Sequence, residues 1–164
     1  MNTNISLRQI NKLAIPAIIA GISEPILSLT DAAIVGHMSV HATESLAAVG
    51  VVTAFLSMLI WVLGQSRSAI SSIVSQYVGA NKINEVKDLP IQAIAIILLI
   101  STVVCVITYP FSRSIFSLYN ASGLLLDYSV SYYKIRVIGL PFTLYVFAVF
   151  GVFRGLQNTY YPMI

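Results

Sequence analysis

The sequence predicts an all-α integral membrane protein, and three observations carry that prediction. Hydrophobic residues fill 57% of the 164 positions and charged residues only 9%, with a mean hydropathy of +0.87. An ordinary soluble domain carries about 25% charged residues, and a chain this poor in charge has too few of them to cover a water-facing surface. The apolar residues gather into four long runs, each near the roughly 20 residues that a transmembrane helix needs. The charges stand mostly in the polar stretches between runs and at run ends. Spans are expected at about 13–36, 46–66, 89–110 and 132–153, with the start of a fifth behind them. The net charge of +3 comes from nine basic residues scattered along the chain. That is no phosphate-binding patch, so membrane lipid is an expected partner and nucleic acid is not.

The chain opens on a polar leader, MNTNISLRQINK, with Arg8 and Lys12. A cleaved signal peptide would have a shorter apolar run and a small-residue cleavage site. The run here is long and carries two acids, so it reads as a retained first span with a cytoplasmic N-terminus. From residue 13 to 36 a helix rises about 36 Å, against a hydrocarbon core of roughly 30 Å. Each acid at the centre of such a span costs about 2.5–3.5 kcal/mol, so Glu24 and Asp31 need partners, water or a proton. Seven positions apart, they share one side of the helix with Ser28. Ile15, Ile19, Ile22, Ile26, Leu29 and Ala33 fall largely elsewhere, which gives a polar seam turned toward the protein interior. Pro16 and Pro25 interrupt the run. Pro25 has no N–H for the carbonyl of Gly21, so a bend is expected beside Glu24, and freed carbonyls next to acids suit cation handling.

HMSVHATES follows, with no Lys or Arg, as expected of an outer loop. His37, His41 and Glu44 have spacing that could hold a metal, but three residues in a loop without further ligands read rather as solvated. Residues 46–64 are nineteen positions without a charge and form the second span. Beyond QSRS, residues 69–79 are half apolar and free of proline, so the helix is expected either to continue past the membrane or to turn along its inner surface. Arg67, near the inner boundary, is read as snorkelling to headgroups in preference to reaching Glu24. GANKINEVKD, with Lys82 and Lys87, is an inner loop. Residues 89–110 are uncharged and make the clearest span. Its Cys105 reads as a small hydrophobe, with no disulfide implied. Residues 111–127 are expected to form the second outer loop, in which Asn120-Ala121-Ser122 matches a glycosylation acceptor that carries no weight by itself.

The last long element is expected over about 129–153, with Lys134 and Arg136 near its outer end and Pro141 inside it. Both basic side chains must snorkel outward, the preferred reading, or line a polar interior. Tyr145, Phe147, Phe150 and Phe153 are read as packing and interface residues, with a path for greasy substrates as the alternative. Gly151 and Gly155 form a small-xxx-small pair, but Arg154 between them marks a helix end and argues against dimerisation. Arg8, Lys12, Lys82, Lys87 and Arg154 fall inside, against Arg113, Lys134 and Arg136 outside, a bias that places the N-terminus in the cytoplasm of a cell with this protein in its inner (plasma) membrane. The tail GLQNTYYPMI begins another apolar run, and the chain reads as a fragment. With no serine elbow, zinc helix motif or phosphate loop, an enzyme is not expected and no cofactor is called for.

LAIP, EP and TDAAIVGH in the first run, LAAVG opening the second, YVGAN after it, and GLPF with FRGLQNTYYPM around the fourth resemble multidrug and toxic compound extrusion (MATE) transporters. The likeness is to the branch named for DNA-damage-inducible protein F. It implies a twelve-helix secondary transporter of two six-helix lobes that exports drugs or other cationic or amphipathic compounds in exchange for Na⁺ or H⁺. This chain would be most of the first lobe, and the rest of the transporter would be its partner. The family's cation-coupling aspartate falls on Asp31 and its early helix-bending proline on Pro16. Residues and resemblance together suggest a carboxylate switch, with Glu24 as a less certain partner and with Asp31 favouring one conformation when ionised and another when protonated or bound to Na⁺. A lipid or oligosaccharide flippase of the same superfamily and a small four-helix membrane subunit are the alternatives.

Overall fold

The computed structural model describes residues 7–37 and 40–158, with some side chains of the first helix, those of Pro16 and Glu24 among them, outside the description. Among the described residues every regular element is helical. They are α1 (Leu7–Gly36), α2 (Ala42–Gly64), α3 (Ser66–Gly79), α4 (Leu89–Leu118), α5 (Gly123–Arg136) and α6 (Leu140–Gly155), with short 3₁₀ turns at Ile83–Val86 and Val137–Gly139. Three continuous helical stretches, Ala42–Gly79, Asn84–Leu118 and Gly123–Gly155, are long and apolar enough to cross a membrane. α1, whose side chains are described only in part, is not one of those three. The fifth apolar run lies outside the described residues.

Three boundaries differ from the sequence reading. α1 is already helical at Leu7, inside the polar leader, and runs unbroken past positions 16 and 25. α3 continues almost directly from α2, the first of the two courses expected there, with Gln65 at the junction still in right-handed helical geometry. The expected outer loop at 111–127 is mostly helix: α4 runs through Pro110 to Leu118, and α5 begins at Gly123. Pro110 lacks only one backbone donor, and packing of the flanking turns overrides that single loss. Finally, the element around Pro141 is not one uniform α-helix but α5 and α6 joined through a 3₁₀ turn. Pro141 has no N–H to give the Val137 carbonyl, and the chain tightens into the 3₁₀ turn there. That carbonyl accepts instead from the Leu140 N–H and from the Cys105 thiol, at 3.2 Å. Cys105 is therefore more than a space filler.

The helices end by a shared device. Asn81, Asn120 and Gln157 take left-handed φ of 61°, 62° and 57° just past α3, α4 and α6. In each case the next N–H reaches back five residues, Lys82 to Tyr77 at 2.9 Å, Ala121 to Phe116 at 3.2 Å and Asn158 to Phe153 at 2.9 Å, which is the Schellman closure. The Asn120-Ala121-Ser122 triplet is thus a helix cap whose alanine is buried.

α2 lies against α5, α3 against α6, and α4 against both α5 and α6, while α1 packs along α2. The core has two centres. One is aromatic and sits by the α4–α5 turn, where Phe55, Phe116 and Tyr133 meet edge to face at centroid distances of 5.3–5.9 Å. The Tyr133 hydroxyl donates to Thr108 at 2.6 Å, and Thr108 donates to the Val104 carbonyl at 2.7 Å, so the one polar tip in that cluster is satisfied. The other centre is aliphatic, around Ile70, Val74, Ile97, Leu140, Leu144 and Ala148. Here the glycine pair acts inside the chain. A Cβ at Gly151 would stand 2.7 Å from the Arg67 carbonyl oxygen, and one at Gly155 would stand 2.6 Å from the Val74 Cβ. The small-xxx-small pair seats α6 directly on α3.

Candidate functional site

α1 presents two kinds of surface. Ile15, Ile19, Ile22, Ile26 and Leu29 are exposed, whereas Ser28 and Asp31 are half-buried on the side turned toward the other helices. On α5, Tyr132 and Arg136 stand four residues apart and so share a face. Asp31 meets both. The Arg136 guanidinium nitrogen lies 3.1 Å from the Asp31 Oδ2, and the Tyr132 hydroxyl donates to that same oxygen at 3.1 Å. The guanidinium carbon sits 5.8 Å from the Tyr132 ring centroid, so the cation is also held over an aromatic face. Thr53 of α2 lies near the same phenol, so α1, α2 and α5 meet around this pair.

The side chains of Asp31 and Arg136 keep 31% and 32% of their accessible surface. At that depth the pair is neither a screened surface bridge nor a dry interior one. Neutralising either partner strands the other in a mostly apolar setting. Since α1 otherwise packs on α2, this carboxylate is its polar tie to α5.

Arg136 does not snorkel outward, as the sequence reading preferred; it turns inward to the acid. The i, i+4 spacing of Tyr132 and Arg136 within an apolar run was the available signal, and it could not say which helix faced them. Lys134 lies over the Tyr109 ring at 5.4 Å. Arg67 lies over the Phe147 ring at 4.8 Å. The side chain of Glu24 lies outside the described residues, as does that of Pro16, while Pro25 is exposed on α1. His37 contacts the Ala33 carbonyl through Nδ1 at 2.7 Å, and His41 faces Glu44 at 3.8 Å. Among the described residues no group of three or more His, Cys, Asp or Glu is placed to hold a metal.

Comparison with known proteins gives three findings. The MatE family model matches residues 16–164. DNA damage-inducible protein F of Escherichia coli (strain K12) is 26% identical over 153 residues, which cover 93% of this chain and 33% of that protein. The chain thus spans about a third of the length of the curated relative it matches. No solved structure matches. The chain belongs to the MatE family, and its three long apolar helical stretches make it a multi-pass membrane protein.

Proposed function

We propose that this chain is the ion-coupling part of a secondary antiporter that exports drugs or other amphipathic and cationic organic compounds in exchange for Na⁺ or H⁺. In that reading α1 is a fourth span, the N-terminus is cytoplasmic, and the remainder of the transporter completes the substrate cavity. The observation that carries it is a carboxylate of α1, Asp31, held by Arg136 and Tyr132 of α5. Membership of the MatE family supports it.

The chemistry follows from charge. With Asp31 ionised, the guanidinium and the phenol tie α1 to α5. A proton or a Na⁺ on the carboxylate removes or satisfies the negative charge that Arg136 pairs with, so the tie weakens while the contact of α1 with α2 remains. α1 is then free to adopt its other position. An ion drives such a change only by its different affinity for the two positions, and the tie supplies that difference. Arg136 in effect competes with the coupling ion for Asp31.

Asp31→Asn in the complete protein keeps the shape and removes the charge. Ion-driven efflux of an organic cation from loaded proteoliposomes is expected to be abolished, with the protein still folded and inserted. Efflux that stays coupled to an imposed Na⁺ or pH gradient in D31N would sink the proposal.

A further inference from the structure

The contacts to Asp31 require that α5 keep one angle about its own axis. Tyr132 and Arg136, four residues apart, share one face of α5 and meet the carboxylate there. Each is followed by a residue about 100° further round the helix, Tyr133 and Val137. At a radius of about 6 Å from the axis, a turn of α5 by about 30° would carry a side-chain tip roughly 3 Å. That is as far as the 3.1 Å contacts to Asp31 are long. Apolar burial is non-directional, so directed polar contacts are better placed to fix the angle of a helix of only 14 residues.

α4 supplies such contacts on the neighbouring face. Tyr133 is fully buried. Its hydroxyl donates to the Thr108 hydroxyl oxygen at 2.6 Å, and Thr108 donates in turn to the Val104 carbonyl at 2.7 Å. One turn along, the Cys105 thiol donates to the Val137 carbonyl at 3.2 Å. Cys105 and Thr108 are three residues apart and share a face of α4, as Tyr133 and Val137, four apart, share one of α5. The two helices are thereby pinned at two points a turn apart. A thiol is a weak donor, so the hydroxyl contact is the stronger of the two. The rings of Phe55 and Phe116 pack against the Tyr133 ring at centroid distances of 5.7 and 5.3 Å, which limits how far the phenol can turn to find another acceptor.

We infer that Thr108, with Tyr133 and the Cys105 thiol, sets the angle at which α5 presents Tyr132 and Arg136 to Asp31. Thr108 is thus a positioning residue that acts on the carboxylate through α5. The inference deepens the antiporter reading and rests on it for the effect on the ion, while the placement itself is read by stability. The effect has a sign. Arg136 competes with the coupling ion for Asp31, so an α5 that has lost its angle competes less, and the ion binds at a lower concentration.

T108V keeps the shape, removes the acceptor and strands a buried phenol, whereas T108S keeps the hydroxyl. The complete protein is reconstituted in proteoliposomes, and the Na⁺ or proton concentration at half-maximal efflux of an organic cation is measured. In T108V it is expected to fall about threefold or more, equivalent to about 0.7 kcal/mol of lost competition, and in T108S to stay at the parent value. A residue that only supported the fold would lower the amount of active protein and leave that concentration unmoved. Thermal unfolding is the second readout: T108V should cost less stability in R136Q than in the parent, because the tie it disturbs is already gone. If T108V does not fold, Y133F takes its place. It strands no hydroxyl, since Thr108 keeps the Val104 carbonyl, and it is expected to move both readouts in the same direction by less. Additive thermal losses, or a half-saturating concentration in T108V equal to that in T108S while D31N has lost coupling, overturn the inference. Coupling that persists in D31N overturns the antiporter reading instead, and the thermal cycle then decides the positioning.

Discussion

At the scale of the residue, the pairing of Asp31 with Arg136 decides most of what the site can do. Two donors fall on one carboxylate oxygen, each at 3.1 Å, from side chains that are about two-thirds covered. Exposed pairs contribute about 0–1 kcal/mol, and breaking a fully buried one costs about 3–5 kcal/mol. A pair covered to about two-thirds should lie between, so D31N and R136Q are each expected to lose about 1–3 kcal/mol. The double variant should lose less than the sum, because the second change removes a charge already stranded. Thermal unfolding of the four proteins in one detergent measures that coupling, and strict additivity would show that the two side chains do not act on each other. The exchanged pair D31R/R136D adds a separation of roles. It is expected to recover part of the stability and none of the efflux, since in the proposed mechanism the coupling ion binds the carboxylate on α1 and a bridge alone does not replace it.

At the scale of the element, the seam between α3 and α6 shows what patterning can and cannot reveal. Gly151 and Gly155 were visible in the sequence as a small-xxx-small pair, but Arg154 between them marked a helix end and argued against a dimerisation motif. The arginine does end the helix. The glycines nevertheless face α3, which the sequence alone left free to run past the membrane or to lie along its surface. Apolar runs and their lengths were legible because insertion energetics act on each run by itself. Partners were not, because Tyr132 with Arg136, or Gly151 with Gly155, declare a face without naming what meets it. The 3₁₀ turn between α5 and α6 had its signal in Pro141, yet the role of Cys105 in capping the freed Val137 carbonyl depends on α4 standing alongside. Close seating also gives a test. In G155A the new Cβ would collide with Val74, whose Cβ lies 2.6 Å from its position, and overpacking of this kind costs about 1–3 kcal/mol. A lower thermal midpoint for G155A than for G50A, where nothing lies within 4 Å of the added Cβ, is the expected result; equal midpoints would mean that α3 and α6 do not touch there.

At the scale of the molecule, the surface fixes the solvent. Ile96, Leu99, Ile100, Val103, Val106, Ile107 and Phe111 of α4 are all exposed, at helical spacing along one side. A continuous apolar stripe of that kind belongs against lipid tails. The three long stretches, of 38, 35 and 33 residues, would rise about 57, 53 and 50 Å, well beyond a core of roughly 30 Å. Each must therefore tilt or project, and the charged ends decide where. Lys82 and Lys87 lie in the turn between α3 and α4, and Arg154 at the end of α6, whereas the turn between α1 and α2 carries no Lys or Arg. The positive-inside bias predicts the α3–α4 turn in the cytoplasm and the α1–α2 and α4–α5 turns outside. Single cysteines test that arrangement once Cys105 is replaced by alanine, with V40C and S122C reporting the two outer turns and N84C the inner one. In intact cells an impermeant maleimide is expected to label V40C and S122C, and N84C only after the membrane is opened. Labelling of N84C alone would invert the orientation. Equal labelling of all three would mean that α2 with α3, or α4, fails to cross, and the apolar stripe on α4 would then have to meet protein rather than lipid.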